Sequence, residues 1–335
     1  MTQFSIPVIE YGCARPGAAI APPQPFIVND RQLVFAMVRS VLTVNSGRAS
    51  RKYLAAIVKP TLRFLLDWNR APDLRVSALY LNVIRDFSAT TRIGELAQGV
   101  SYAYWKWERG YHWIADFGPW VAGLHPPYAG TKSPDYVMLN PTSSDLAVME
   151  SKGTGSNCHK SAMGTALRQG KDAVAHPSFS RSFGSVLTLD SQNSAGVGTL
   201  HIRDPEGATE LLPELSYYVF RRSFASWFEL TGDENLAAWC RQEFREGSDP
   251  RQSRRQITND NGEKSSPLRA ITAAAVGFDP DRVRFEIDPL IAQALGDFDE
   301  FKKIRPQLGK HGSTIGNISD RGSMVFPDGT LVIEG

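Results

Sequence analysis

One run of eight residues constrains this chain more than any other: Leu146-Ala147-Val148-Met149-Glu150-Ser151-Lys152-Gly153. Its four leading apolar residues read as a buried strand. In a strand, residues two apart share a face, so Leu146, Val148, Glu150 and Lys152 point the same way. An apolar face that ends in a carboxylate and an ammonium is costly, because buried charge must be paired or bound to a metal. Six residues upstream ends a second such run, Asp135-Tyr136-Val137-Met138-Leu139, led by Ser133-Pro134. The short connection predicts a hairpin. If that hairpin sets Asp135 beside Glu150, two carboxylates repel at short range, and a hard divalent cation is the simplest relief. Mg²⁺ takes one or two carboxylates together with waters and phosphate oxygens. The pair is therefore a candidate site for phosphodiester chemistry, with Lys152 beside the attacking water or the phosphate.

The flanks predict an α/β arrangement. A helix from Ser88 to Gly110, with Ser88 or Thr90 as its cap and Gly110 as its stop, carries Glu95 on its first turns. Three strands follow at Tyr111 to Phe117, Asp135 to Leu139 and Leu146 to Lys152. Helical spacing returns from Asn157 to Ala175, and Gly184 to Leu189 reads as a further strand. Ahead of this unit, Pro7, Pro16, Pro22, Pro23 and Pro25 predict an extended arm or loop over residues 1 to 30. Apolar residues from Leu33 to Ile84 predict three or four helices, with Pro60 kinking or ending one. Behind it, Pro213 to Leu230 and Asp233 to Arg245 are amphipathic and rich in aromatics, most simply core. Residues 245 to 267 read as a basic loop, and Met324 to Ile333 as a hairpin through Pro327-Asp328-Gly329. The chain thus divides into a helical N-terminal region (1–87), a central α/β core (88–205) and a helical C-terminal region (206–335).

Composition narrows the class without choosing within it. With 42% hydrophobic and 21% charged residues among 335, disordered and disulfide-scaffold readings fall away. A net charge of +2 carries no bulk signal for nucleic acid but leaves room for a local basic groove. Three separated cysteines, Cys13, Cys158 and Cys240, with no secretory leader and no long apolar span, predict a cytoplasmic protein with no membrane partner. Weaker candidates have simpler explanations. Cys158-His159 lacks a second ligand pair at zinc spacing, and His112, His125, His176 and His201 are scattered. A second Glu-x-Lys triplet, Glu300-Phe301-Lys302, lies in an acidic helical stretch and reads as solvated surface.

Pro134-Asp135 followed, 15 positions after the Asp, by Glu150-Ser151-Lys152 resembles the PD-(D/E)xK nuclease superfamily, the restriction-endonuclease-like fold. The predicted order of helix, three-strand meander, helix and strand is also that of the family's core, and the likeness covers about residues 88 to 190. The resemblance implies that Asp135, Glu150 and the backbone carbonyl of Ser151 hold a Mg²⁺ ion, for which Mn²⁺ substitutes. It implies that Lys152 positions or activates the water, and that Glu95 is an extra metal ligand. Gln169 resembles the accessory glutamine of exonuclease-like members, although the tyrosine expected four residues on is Ala173. Lys160 is a further candidate for substrate contact. The expected activity is Mg²⁺-dependent hydrolysis of DNA, as an endonuclease in restriction or antiphage defence. Targeting or activation would come from a homodimer or a partner subunit. The alternative is a catalytically dead nucleic-acid-binding or assembly module on the same fold.

Overall fold

A computed structural model describes residues 2–12, 19–44, 65–77, 80, 86–117, 134–143, 145–155, 158–173, 179, 181–189, 196–203, 213–242, 251, 255–257, 270, 273–274, 278–311 and 323–334. The helices expected around Leu54, Ile57 and Pro60, and most of the basic loop from 245 to 267, lie outside these residues. The protein is mixed α/β, built on one seven-stranded sheet of order β2-β1-β7-β6-β5-β4-β3. These strands are β1 (Gln3–Tyr11), β2 (Gln24–Asn29), β3 (Trp113–Asp116), β4 (Tyr136–Leu139), β5 (Leu146–Thr154), β6 (Arg181–Thr188) and β7 (Thr199–Arg203). Its pairings are antiparallel except β1 with β7 and β5 with β6.

Two helices frame this sheet first: α1 (Asp30–Val44) and α2 (Asp86–Ala103). The expected helix over 88–110 thus starts upstream of both cap candidates, and ends in a π-helical turn, Tyr104–Glu108, ahead of Gly110. The antiparallel meander β3-β4-β5 follows as expected. Then α3 (His159–Ala173) crosses from β5 to β6, as two parallel neighbours require.

The N-terminal arm is a correction. Prolines predict an extended arm or loop, whereas these residues are sheet strands: β1 and β2 pair with each other, and β1 joins the central sheet beside β7. Pro7 faces Pro25 across the β1–β2 ladder. The Ser5 N–H donates away from β2, to the Pro72 carbonyl at 2.7 Å. By the pleat the Pro7 nitrogen, two residues on, also faces away from β2, so neither proline breaks that ladder. The alternation Phe4, Ile6, Val8 is fully buried, as a strand packed on one face demands. The strand β7, with Leu200 and Ile202 buried, also went unrecognised in the sequence.

The C-terminal region is helical: α4 (Pro213–Ser223), α5 (Ala225–Thr231), α6 (Glu234–Cys240), α7 (Pro289–Gly296) and α8 (Phe298–His311). It also carries a three-stranded antiparallel sheet, β8 (Val283–Ile287), β9 (Ser323–Val325) and β10 (Thr330–Glu334), of order β8-β10-β9. The expected hairpin is β9–β10, turning through Gly329 at φ 82°. The aromatics are core, as expected: Tyr217, Phe220, Phe224 and Trp227 are at most 1% exposed. The Phe220 ring meets Trp113 of β3 edge-on at 4.7 Å.

One buried polar cluster ties these parts together. Arg39 on α1 and Lys106 in the π turn both reach Asp328 Oδ2, at 3.1 and 2.7 Å, all at most 2% exposed. Phe326, beside that turn, stacks on Phe35 of α1 at 4.0 Å. The turn Pro327-Asp328-Gly329 is therefore an inward anchor rather than a solvated loop tip.

Candidate active site

Strand β5 carries two kinds of chemistry on its two faces. On one face Ser151 Oγ lies 3.1 Å from Ser101 Oγ of α2, and Ser101 Oγ lies 2.7 Å from Ser185 Oγ of β6. Small hydroxyl side chains let α2 lie close. Gly153 extends this contact, because a Cβ there would stand 2.5 Å from the Ile93 carbonyl oxygen. On the other face stand Glu150 and Lys152, with α3 over the neighbouring strand: a Cβ on Gly184, the register partner of Glu150, would meet Met163 Sδ at 2.5 Å.

The hairpin meets the condition that the sequence left open. The last ladder pair of β4 and β5 is Tyr136 with Met149, so the next step sets Asp135 across from Glu150. Asp135 Oδ2 accepts the Ser151 N–H at 2.9 Å. In an extended chain the N–H and C=O of one residue point to the same side, so the Ser151 carbonyl also faces the Asp135 side. Glu150 is 1% exposed. Its Oε1 accepts from Lys152 Nζ, and its buried Oε2 has no hydrogen-bond partner among the described residues.

Electrostatics follow from burial. Desolvation, then repulsion from Asp135, pushes the Glu150 carboxyl up to about 7, against the pull of Lys152. Burial also raises Asp135, opposed by the Ser151 N–H and by Lys152. Two adjacent carboxylates that resist ionisation, one with an orphaned oxygen, form a donor set of hard oxygens suited to a divalent cation. In this state Lys152 supplies the counter-charge.

The remaining expected residues lie elsewhere. Glu95 sits on α2, which covers the opposite face of β5, and pairs with Arg92 at 2.8 Å. Among the described residues no group of three or more His, Cys, Asp and Glu is placed to hold one metal ion. Glu95 is thus not gathered with Asp135 and Glu150. Gln169, half-buried, neighbours Gly170, which packs on Ser182, the register partner of Val148, two residues short of Glu150. Lys160 is exposed in the first turn of α3.

Sequence reading missed a ring cluster on the acid-bearing face. His159 and His201 stack at 4.2 Å with planes 3° apart. Tyr11 donates to, or accepts from, His201 Nδ1 at 2.9 Å, and His201 Nε2 lies 3.3 Å from Thr188 Oγ1. Burial, then the facing His159 ring, lowers His201 to about 4. No local spacing links residues this far apart; only the alternation of Thr199–Arg203, which marks β7, hinted at where His201 points.

Among the described residues no helix is long and apolar enough to cross a membrane. Comparison with protein-family models, with curated proteins and with solved structures gave no match.

Proposed function

We propose that the chain is a divalent-metal-dependent nuclease on a restriction-endonuclease-like core, hydrolysing DNA phosphodiester bonds. The observation that carries this reading is the meeting of a half-buried carboxylate, Asp135, with a buried one, Glu150, and of Lys152 with the second, at the end of a β-hairpin. The element order α2, β3-β4-β5, α3, β6 supports the fold assignment, which rests on likeness of order and motif.

In this scheme Asp135, Glu150 and the Ser151 carbonyl would hold Mg²⁺, with Mn²⁺ as a substitute. When bound, such an ion lowers the pKa of a coordinated water and offsets the charge that develops at phosphorus. Asp135 keeps its aim through the Ser151 N–H. Lys152, which donates to Glu150 Oε1 in this structure, would turn its ammonium to the attacking water and the phosphate. The water oxygen would bond to phosphorus as the bond to the leaving ester oxygen breaks, with inversion in a single step, the water giving up a proton to solvent and the leaving oxygen taking one from it. Two such sites are needed to break both strands of a duplex, which makes a homodimer or a partner subunit part of the proposal, as is a role in restriction or antiphage defence.

A second reading is a binding or assembly module without catalysis. It is favoured by the same Lys152–Glu150 contact, which already neutralises one acid without a metal. One experiment separates the two: supercoiled and linear DNA incubated with the protein in Mg²⁺, Mn²⁺ or EDTA, beside Glu150→Ala and Lys152→Ala. Metal-dependent cleavage lost in both variants is the expected result. Absence of cleavage in every metal, with no Mn²⁺ binding by calorimetry, would overturn the nuclease reading.

A further inference from the structure

The acid pair does not stand alone on its face of the sheet. Register runs from Lys152 to Val186 and from Val186 to His201, and in the next row from Glu150 to Gly184 and from Gly184 to Arg203. Residues paired across a sheet share a face, so His201 and Arg203 lie on the same face as Lys152 and Glu150. Strand spacing puts them two strands, about 10 Å, away.

Over His201 lies the ring of His159, the first residue of α3, with Tyr11 roughly parallel to both at 5.9 and 6.2 Å. His201 is 5% exposed, whereas His159 is only half-buried. One face of the His159 ring is covered by His201, and among the described residues no other aromatic ring covers the second. The side chains of His159, Lys160 and Arg203 make no hydrogen bond or ion pair with another described residue. A metal is a poor occupant here, because both nitrogens of His201 are already engaged and the two imidazoles lie flat upon each other.

We propose that the His159 ring, backed by His201 and Tyr11, is a stacking platform for one base of the strand whose phosphate meets Asp135 and Glu150, with Arg203 and Lys160 taking the flanking phosphates. This rests on the nuclease reading for its substrate. It adds that the strand is single-stranded or locally opened there, since a base can stack on a side chain only when it has left its own stack. Sheet register fixes His201, His201 and Tyr11 hold His159, and the outer ring face is left for the ligand. Sequence tolerance follows, because every base has a π-face.

The test is fluorescence anisotropy of a labelled single-stranded oligonucleotide and its duplex with the full chain in EDTA, where no cleavage occurs, for wild type, His159→Ala and His159→Phe. The expected result is tighter binding of the single strand, about 5- to 150-fold weaker in His159→Ala, and retained in His159→Phe. Equal binding by wild type and His159→Ala, equal loss in both variants, or no binding by wild type overturns the platform. Cleavage assays with Glu150→Ala, run in parallel, keep the two ideas apart. Binding that depends on His159, with neither metal-dependent cleavage nor Mn²⁺ binding, sinks the nuclease and leaves the platform standing. Cleavage with binding indifferent to His159 does the reverse.

Discussion

The backbone N–H of Ser151 donates to Asp135 Oδ2 at 2.9 Å, so the carboxylate that leads β4 is aimed by the strand that carries Glu150. This bond separates the structural role of Asp135 from its charge. In Asp135→Asn the amide oxygen still accepts the N–H, whereas in Asp135→Ala the donor loses its partner. We expect Asp135→Asn to keep near wild-type stability and lose Mn²⁺ binding, and Asp135→Ala to lose both, with about 1–2 kcal/mol less stability. Urea denaturation beside calorimetric titration of Mn²⁺ reads the two effects separately.

Glu150 is held against its own preference. Burial and the nearby Asp135 raise it to about 7, and one oxygen has no hydrogen-bond partner among the described residues. Glu150→Gln removes the charge at nearly constant shape. It should raise metal-free stability by about 1 kcal/mol or more at pH 7.5, as a higher midpoint in urea with EDTA, while abolishing Mn²⁺ binding. A less stable Glu150→Gln would mean that the Lys152 contact outweighs the desolvation.

The acid pair was legible because two local rules suffice for it. Alternation along Leu146 to Lys152 fixes the face, and a short hairpin fixes the register. Neither rule reaches Glu95, whose place depends on which way α2 is turned about its axis, and the buried Ser101–Ser151–Ser185 contacts decide that. In the N-terminal segment the prolines drew attention from the alternation of Phe4, Ile6 and Val8, the stronger signal. His159 and His201, and Asp328 with Arg39 and Lys106, meet only through the tertiary fold, and no sequence spacing pairs them. The sequence marks Pro327-Asp328-Gly329 as a turn but not that Asp328 is buried, since its partners Arg39 and Lys106 lie far away in the chain.

Asp328 should therefore matter to stability far more than a turn residue usually does. It accepts from Arg39 and Lys106 on Oδ2 and from Thr330 Oγ1, at 2.7 Å, on Oδ1. The two cations hold its carboxyl well below the usual range, against the opposing effect of burial. Asp328→Ala leaves two buried cations facing each other, and we expect a loss of about 3–5 kcal/mol. Asp328→Asn should lose less, since its side-chain oxygen can still accept. A change below about 0.5 kcal/mol in Asp328→Ala, measured in urea, would show that the cluster does not couple the C-terminal sheet to α1.

Among the described residues, groups that act on stability between pH 7 and pH 5 pull in opposite directions. His112, lowered to about 4 by burial and by Lys106, and His201, also lowered to about 4, stay neutral in the folded state. In the unfolded chain both take up protons near pH 6.5, so they make stability fall as pH drops through that window. Glu150 does the opposite. Its folded value of about 7 lies above the unfolded value of about 4.3, so the folded state holds a proton that the unfolded state has released, and its contribution is lost as pH rises. Asp135, also raised, acts in the same sense. Asp328, lowered, contributes across this whole range and is lost only in stronger acid. Glu150→Gln should therefore lose stability more steeply than wild type on acidification from pH 7 to 5, by up to about 1.4 kcal/mol per pH unit. His112→Phe, which keeps a ring and cannot take up a proton, should lose it less steeply. Urea midpoints at half-unit pH steps give both slopes, and parallel curves for all three proteins would mean that neither side chain differs in proton affinity between the folded and unfolded states.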